Sequence, residues 1–366
     1  MVVNRELADT TGPHARSRRH LEIALPEGSS YQPGDYLAVL PRNPPEVVDR
    51  ALAAFGLARD APFTLHGIPL TAADLLTAHV ALTEPATPAR VERLAVTTHA
   101  VLAAAESSGR AMVEGIRGGR GVTVLELVER FPGVDFAGFL GLHGALVARR
   151  YSISSSPRWD PGRVSLTVAV VRDAAGAFGG SASTYLAGVV PGEAVRVGVV
   201  RSGKAFHPPE SLATPMVMVC AGTGVAPFRG FLQDRALRAA REGVTPAPSL
   251  LFFGCDHPDV DFLYRDEFAA WAAAGIVEVR PAFSAAPRDG VRYVQDRVWR
   301  DRVDVMNLLR RDAVFYVCGD GRRMAPAVAD TCARVYAEGT GATPGEAEEW
   351  LALRLHHGRY RSDAYL

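Results

Sequence analysis

From Arg19 to Leu25 apolar side chains fall at every second position (Leu21, Ile23, Leu25), and the run Tyr31-Gln-Pro-Gly-Asp35 separates them from a second apolar stretch, Tyr36 to Leu40. A period of two puts one face of each segment into a core, which predicts two strands joined through a tight turn. The texture then changes. Helical spacing runs through Glu46 to Phe55, Ala72 to Val80, Arg90 to Glu106 and Val124 to Phe131, broken by Pro and Gly clusters. Strand patterns resume at Leu146 to Ser152, Arg163 to Val171 and Ala194 to Val200. The simplest assembly is one antiparallel barrel, built from 1–44 and 146–207, with a helical block at 45–145 inserted into it. Beyond His207-Pro-Pro, strand and helix alternate: Met216 to Cys220, a helix from Pro227, Leu250 to Gly254, a helix over Phe262 to Ala273, Ile276 to Ala282, then two more pairs. Alternation of this kind predicts βαβ units and a parallel sheet over 208–366, with ligands at the carboxyl ends of the strands.

A chain of 366 residues with 48% hydrophobic and 22% charged positions has enough apolar material for cores in more than one domain. Forty basic residues balance forty acidic ones, so no overall field points to nucleic acid, and an anion site has to be local. Lys204 is the single lysine, a bias that reads as a GC-rich coding sequence. Cys220, Cys255, Cys318 and Cys332 lie far apart, without a C-x-x-C pair or His/Cys grouping, so neither a zinc site nor a disulfide framework is expected. The N-terminus lacks a signal-peptide pattern and no apolar run reaches membrane-spanning length, which places the expected protein in the cytoplasm, away from membranes.

The segment Arg149-Arg150-Tyr151-Ser152-Ile153-Ser154-Ser155-Ser156 narrows the chemistry further. An arginine two residues before a Tyr-Ser pair offers a planar cation for a pyrophosphate, an aromatic face for a flat ring and a hydroxyl for that ring's edge. That outlines a flavin site; the bland alternative is a serine-rich turn beside a basic strand. Ala221-Gly222-Thr223-Gly224-Val225-Ala226-Pro227 links an apolar strand to an amphipathic stretch. Glycines admit a phosphate to the backbone, and proline suits a first helical position. This fits a dinucleotide pyrophosphate loop, or a structural strand-to-helix turn. Phe178 to Leu186 has small residues before a helix-like run, and reads equally as a phosphate cradle or an ordinary N-cap. Phe315-Tyr-Val-Cys318-Gly319-Asp320-Gly321 sets a thiol where a ligand on a parallel sheet would sit, although such a cysteine is as readily structural.

Taken in order, Tyr-x-Pro-Gly-Asp, a helical insertion, Arg-x-Tyr-Ser-Ile-Ser-Ser, Gly-x-Ala-Ser, Gly-Thr-Gly-Val-Ala-Pro-Phe, Tyr-Val-Gln, Tyr-Val-Cys-Gly-Asp and Gly-Arg-Tyr-x-x-Asp resemble the diflavin reductase family, of the cytochrome P-450 reductase type. Arg19-His20-Leu-Glu-Ile and Arg150-Tyr-Ser-Ile-Ser-Ser-Ser-Pro157 look most like the reductase part of fused bacterial P-450 monooxygenases. The resemblance is to the FAD and NADPH half alone, so a flavodoxin-like FMN domain is expected elsewhere, in a longer parent chain or in trans. It implies a ferredoxin-NADP reductase-like fold, of class β + α/β. On the flavin side it implies Arg149 on the pyrophosphate, Tyr151 against the isoalloxazine and Ser152 at its reactive edge, with Ser154 and Arg19 in contact, Thr167, Val168 and Ala169 as lining, and Gly180, Ser181, Ala182 and Ser183 on phosphates. On the nicotinamide side it implies Gly222 and Thr223 at the pyrophosphate, Ser284, Tyr293 and Gln295 at the adenosine 2′-phosphate, and Cys318, Gly319 and Met324 near nicotinamide. Asp363 would complete a Ser152-Cys318-Asp363 catalytic set, and Tyr365 would be a lid over the flavin.

Two departures bear on the donor. Ser284 is followed by Ala285 where relatives carry arginine, so Arg288 or Arg292 would have to supply the guanidinium. Asp256 stands where the resemblance leads one to expect another arginine. Both weaken selection for NADPH over NADH. The expected activity is an FAD-dependent reductase that takes a hydride from NADPH, with NADH possible, and passes single electrons to an FMN domain, in the same parent chain or in trans, and on to a haem monooxygenase. A stand-alone ferredoxin or flavodoxin reductase is the near alternative, disfavoured by the insertion. A redox-inactive flavin-binding scaffold is disfavoured by the joint presence of Ser152, Cys318 and Asp363.

Overall fold

A computed structural model describes residues 1–12, 16–87, 89–90, 122–130, 133–172 and 179–365. The helix expected over Arg90 to Glu106 falls almost entirely outside these residues, as does Phe178.

The first unit is built from two three-stranded antiparallel sheets. One has the order β1 (Val3–Glu6), β2 (Arg18–Ala24), β7 (Arg163–Ala169), and the other β6 (Arg149–Ser152), β3 (Tyr36–Leu40), β8 (Arg196–Val200). A bridge between Ile153 and Leu166 stitches them together. Alternation explains the closure: Leu21, Ile23, Leu37, Val39, Val164, Leu166 and Val168 all point into one core. Their strand neighbours of opposite parity face away from that core. The expected strand signals were slightly long, since β6 begins at Arg149 rather than Leu146 and β7 ends at Ala169.

The insertion has its own core around Leu52, Leu76, Leu125 and Phe139. It holds α1 (Pro45–Ala54), α2 (Ala72–Ala78), α3 (Val124–Arg130) and α4 (Phe136–Leu142), and is not purely helical. A hairpin of β4 (Pro62–Leu65) and β5 (Ile68–Thr71) turns on His66-Gly67, both at positive φ. That is the backbone a two-residue primed turn demands. Thr71 and Asp74 form a reciprocal cap that starts α2 directly from the hairpin.

After α5 (Ser181–Gly188) and β8 the chain enters a five-stranded parallel sheet. Its order is β11 (Glu278–Phe283), β10 (Ser249–Cys255), β9 (Met216–Ala221), β12 (Val314–Asp320), β13 (Tyr360–Tyr365). β9, β10 and β12 are apolar almost throughout because helices cover both faces. α6 (Ala226–Glu242) and α7 (Arg265–Ala273) belong to this unit, with α8 (Val294–Arg300), α9 (Arg302–Arg310), α10 (Met324–Thr340) and α11 (Pro344–His356). Met216, Met218 and Cys220 pack into one layer and Val217 and Val219 into the other. The expected barrel followed by a parallel sheet is what the chain forms. Among the described residues no helix is long and apolar enough to cross a membrane.

Candidate functional site

The order of the sheet places three strand ends side by side. In register, Cys220 lies beside Cys318, and Cys318 beside Asp363. Between β9 and α6, Gly222–Val225 forms a 3-10 turn that leads directly into the long helix, with Pro227 in its first turn. No side chain caps that helix N-terminus; the 3-10 turn serves instead, the Ala226 amide donating to the Thr223 carbonyl, while Pro227 has no amide proton to place. Gly222 sits at φ +54° with open space before it, whereas a Cβ on Gly224 would meet the Cys318 carbonyl oxygen at 2.4 Å. One glycine clears a ligand's approach and the other lets the turn press against β12.

In front of these strand ends lies a cleft of about 480 Å³. Of the residues expected to bind nicotinamide dinucleotide or cover the flavin, Gly222, Ser284, Arg292, Tyr293, Gln295, Met324 and Tyr365 line it. Thr223 stands next to Gly222, within reach of the Tyr365 phenol. Gly319, at φ +143°, lies against Met324. Cys318 is buried just behind, and burial together with nearby Asp363 holds its thiol well above the usual cysteine range. It is therefore a neutral thiol at any physiological pH. Arg288 does not line the cleft; its guanidinium stacks over Phe283 at 5.7 Å.

Residues that sequence reasoning did not single out also line this cleft: Arg16, Arg18, Asp261, Asp320 and Arg323. Asp261 accepts hydrogen bonds from the amides of Asp256 and His257, and Asp320 caps the amides of Arg322, Arg323 and Met324. Asp256 differs, since its carboxylate receives the Ser284 hydroxyl at 2.7 Å and faces the cleft.

On the barrel side, Ser152 lies opposite Tyr36 across β6 and β3, so the two side chains share the outer face. The Tyr36 hydroxyl donates to Asp363 Oδ1 at 2.6 Å, and Lys204 Nζ donates to the same oxygen at 3.2 Å. Burial and this carboxylate push the Tyr36 phenol far up, so it stays a donor. Ser152, Cys318 and Asp363, far apart in sequence, are thus brought to one junction between barrel and sheet. Tyr151, opposite Leu37, packs partly against the barrel core, and burial pushes its phenol up to about 12. Arg149 is exposed at the start of β6, and its guanidinium has no hydrogen-bond partner among the described residues.

α5 begins at Gly180 without a side-chain cap, and the amides of Ser181 and Ala182 have no hydrogen-bond partner among the described residues. Ser183 is buried, its hydroxyl engaged with the Gly180 carbonyl and the Val171 amide, while Ser181 shares a hydrogen bond with Thr83 of the insertion. Other expected contacts point elsewhere. Arg19 has the parity of Leu21 and turns its guanidinium to Asn4 and Glu6; Arg18, one residue earlier, takes the cleft position. Val168 lies in the barrel core, and Ala169 pairs with Arg18.

Ser154 is fully buried, its hydroxyl on Ser165. Thr167 bonds the Tyr264 hydroxyl at 2.7 Å, and His20 Nδ1 shares that hydroxyl at 3.1 Å. Tyr264 reaches them from a left-handed φ of +58° just ahead of α7, which is why the helix starts at Arg265 rather than Phe262. Arg229 of α6 stacks on Tyr264 and donates to the Ser154 carbonyl, the Ser165 hydroxyl and Glu267. The serine run is therefore the polar floor on which the second unit sits. Among the described residues no group of His, Cys, Asp or Glu could hold a metal.

The donor set fits two nucleotide cofactors. The amides at the start of α5, the positive end of the long α6, an open glycine and cleft arginines suit phosphates, and neutral hydroxyl and thiol groups suit flat rings. Residues 1–185 match the family described as FAD binding domain, and 218–330 match the oxidoreductase NAD-binding domain. Among curated relatives, a self-sufficient cytochrome P450 monooxygenase of Phanerodontia chrysosporium is 39% identical over 100% of this chain and 36% of its own length. Bifunctional cytochrome P450/NADPH–P450 reductases of Fusarium oxysporum and Bacillus subtilis are 37% and 36% identical, again over 100% of this chain and 36% of theirs. The chain thus spans about a third of the length of the relatives it matches, and the likeness extends to fungal as well as bacterial fusions. It belongs to the FAD binding domain family, joined here to an oxidoreductase NAD-binding domain in a ferredoxin-NADP reductase-like fold.

Proposed function

We propose that this chain is the reductase unit of a P450 system, taking a hydride from NADPH and delivering single electrons to an FMN domain and then to a haem monooxygenase. The observation that carries this reading is the junction at which Ser152, Cys318 and Asp363 meet, at the carboxyl end of the parallel sheet. FAD, when bound, supplies the conversion of a two-electron donor into a one-electron source. The chain's own work is to hold and orient. Arg149 and the first-turn amides of α5 would take flavin phosphates, Tyr151 a ring face, and the Ser152 hydroxyl the ring edge that receives hydride. Gly222, Thr223 and the start of α6 would take the dinucleotide pyrophosphate. Cys318 and Asp363 would orient nicotinamide, with the carboxylate stabilising the positive charge that develops as hydride leaves.

The functional units proposed are 1–44 with 146–207 for FAD, 45–145 as the connecting block that positions the FMN domain, and 208–366 for the dinucleotide. We place the protein in the cytoplasm. Purified chain loaded with FAD and titrated anaerobically with NADPH should lose the flavin's visible absorbance; bound flavin that neither NADPH nor NADH bleaches would overturn the reading. The hydrogen bond between Ser284 and Asp256 favours a second version in which NADH serves as well, because a carboxylate there accepts a ribose hydroxyl and repels a phosphate.

A further inference from the structure

The segment between barrel and sheet, Arg201 to His207, is tightly built. Ala205 adopts φ +49°, a strained choice for a residue with a side chain. Phe206 is fully buried, and its carbonyl approaches Gly34 so closely that a Cβ there would lie 1.7 Å from the oxygen. Arg361 of β13 donates to the carbonyls of Ala205 and His207, and the Tyr316 hydroxyl donates to His207 as well. These contacts fix the backbone next to Lys204. Lys204 reaches the Asp363 carboxylate, and it is the single lysine beside thirty-nine arginines.

We propose that Lys204 is a positioning residue for the hydride transfer described above: with Tyr36 it clamps Asp363 Oδ1 and fixes the carboxylate's orientation. The inference rests on that functional reading. Asp363 is faced by Tyr36 from β3, by Lys204 from the connecting segment and by Cys318 from β12, so Lys204 is the one cation among these three. Its side chain is 55% exposed against 10% for Asp363, so the bond adds little to stability. Its consequence is local: it decides where a buried carboxylate points. A compact ammonium suits one shared oxygen, and a guanidinium keeps the charge if its fork can reach.

Because the 366-residue chain has one lysine, amine reagents act on its folded, unsubstituted form, the parent in this comparison, at Lys204 and the amino terminus alone. Acetylation removes the charge and amidination keeps it; Lys204→Arg protein, treated identically, isolates the amino-terminal effect. Acetylated parent, like Lys204→Met, should lose roughly tenfold to a hundredfold in the rate of flavin reduction at saturating NADPH. Affinity for NADP⁺ should be unchanged, and amidinated parent and Lys204→Arg should retain most of the rate. The Tyr36 ring resonance in ¹³C-tyrosine-labelled protein, assigned with Tyr36→Phe, gives a readout that needs neither flavin nor turnover. Acetylation should move it towards its position in Asp363→Asn, and amidination should not. A resonance indifferent to acetylation would overturn the clamp, whatever the rates. A resonance that moves in a protein whose flavin accepts no hydride would instead overturn the functional reading and the positioning role that rests on it.

Discussion

Replacing Asp256 tests how the cleft chooses between two donors that differ by one phosphate. The Ser284 hydroxyl donates to Asp256 at 2.7 Å, so an adenosine phosphate that took over the hydroxyl's single proton would stand about 5 Å from the carboxylate. Two unit charges at ~5 Å repel by roughly 0.8 kcal/mol in bulk water and about 3 kcal/mol at an effective dielectric of ~20. The cleft opens to solvent, so the lower figure applies, and with nearly two charges on the phosphate the penalty is about 1.5 kcal/mol, close to a factor of ten. Asp256→Asn should therefore raise the ratio of kcat/KM for NADPH to that for NADH about tenfold, and Asp256→Arg should raise it further by replacing repulsion with attraction. The assay is initial-rate dye reduction with each donor, at low salt and again at high salt, where screening should shrink the Asn effect. A ratio that moves less than about twofold, or an equal change for both donors, would show that the phosphate does not bind beside Ser284 and would refute the assignment of this end of the cleft.

Three further outcomes follow from the same coordinates. Gly224→Ala places a methyl 2.4 Å from the Cys318 carbonyl oxygen and 3.0 Å from Gly319 Cα, so backbone must give way; a loss of about 1–3 kcal/mol in a urea melt, with weaker dinucleotide binding, is expected, and wild-type values for both would contradict the close approach. His20 is buried and held neutral, its pKa lowered from 6.5 to about 3 by burial and by Arg229 and Arg5. Stability it confers is complete above 6.5 and drains away as pH falls towards 3, because only the unfolded chain takes up the proton. His20→Gln should therefore remove about 1.4 kcal/mol of the stability lost per pH unit in that window, read as a difference of urea midpoints at two pH values. Lastly, all four cysteines are buried and burial raises their thiols, so iodoacetamide at pH 7.5 should label none in native protein and all four in urea; rapid native labelling of Cys318 would mean that the strand ends are open.

The barrel, the insertion and the parallel sheet were legible because each leaves its own hydrophobic period. What escaped was decided by contacts between segments remote in sequence. The His66-Gly67 hairpin lies within helical texture and its strands are only four residues each. Arg18 is legible from parity alone: Leu21 and Ile23 define the core side of β2, which sends Arg19 inwards and Arg18 outwards. The same parity on β3 picks out Tyr36 beside Leu37 and Val39. Ser154 misled for a different reason, since a hydroxyl looks alike in sequence whether it meets a ligand or the underside of a helix, and only the arrival of Arg229 from α6 decides. Lys204 gave a signal in composition alone, and its partner lies 159 residues away.

The seam at Arg229 also governs how such proteins can be recombined. Its guanidinium and the Tyr264 hydroxyl satisfy the Ser154 carbonyl, Ser165, Thr167 and His20, groups that belong to the other unit and are sealed from water. A chimaera that took its dinucleotide unit from a relative with different residues at these two positions would strand those acceptors and donors in the interior. The matched pair, rather than either unit alone, is the piece that can be exchanged.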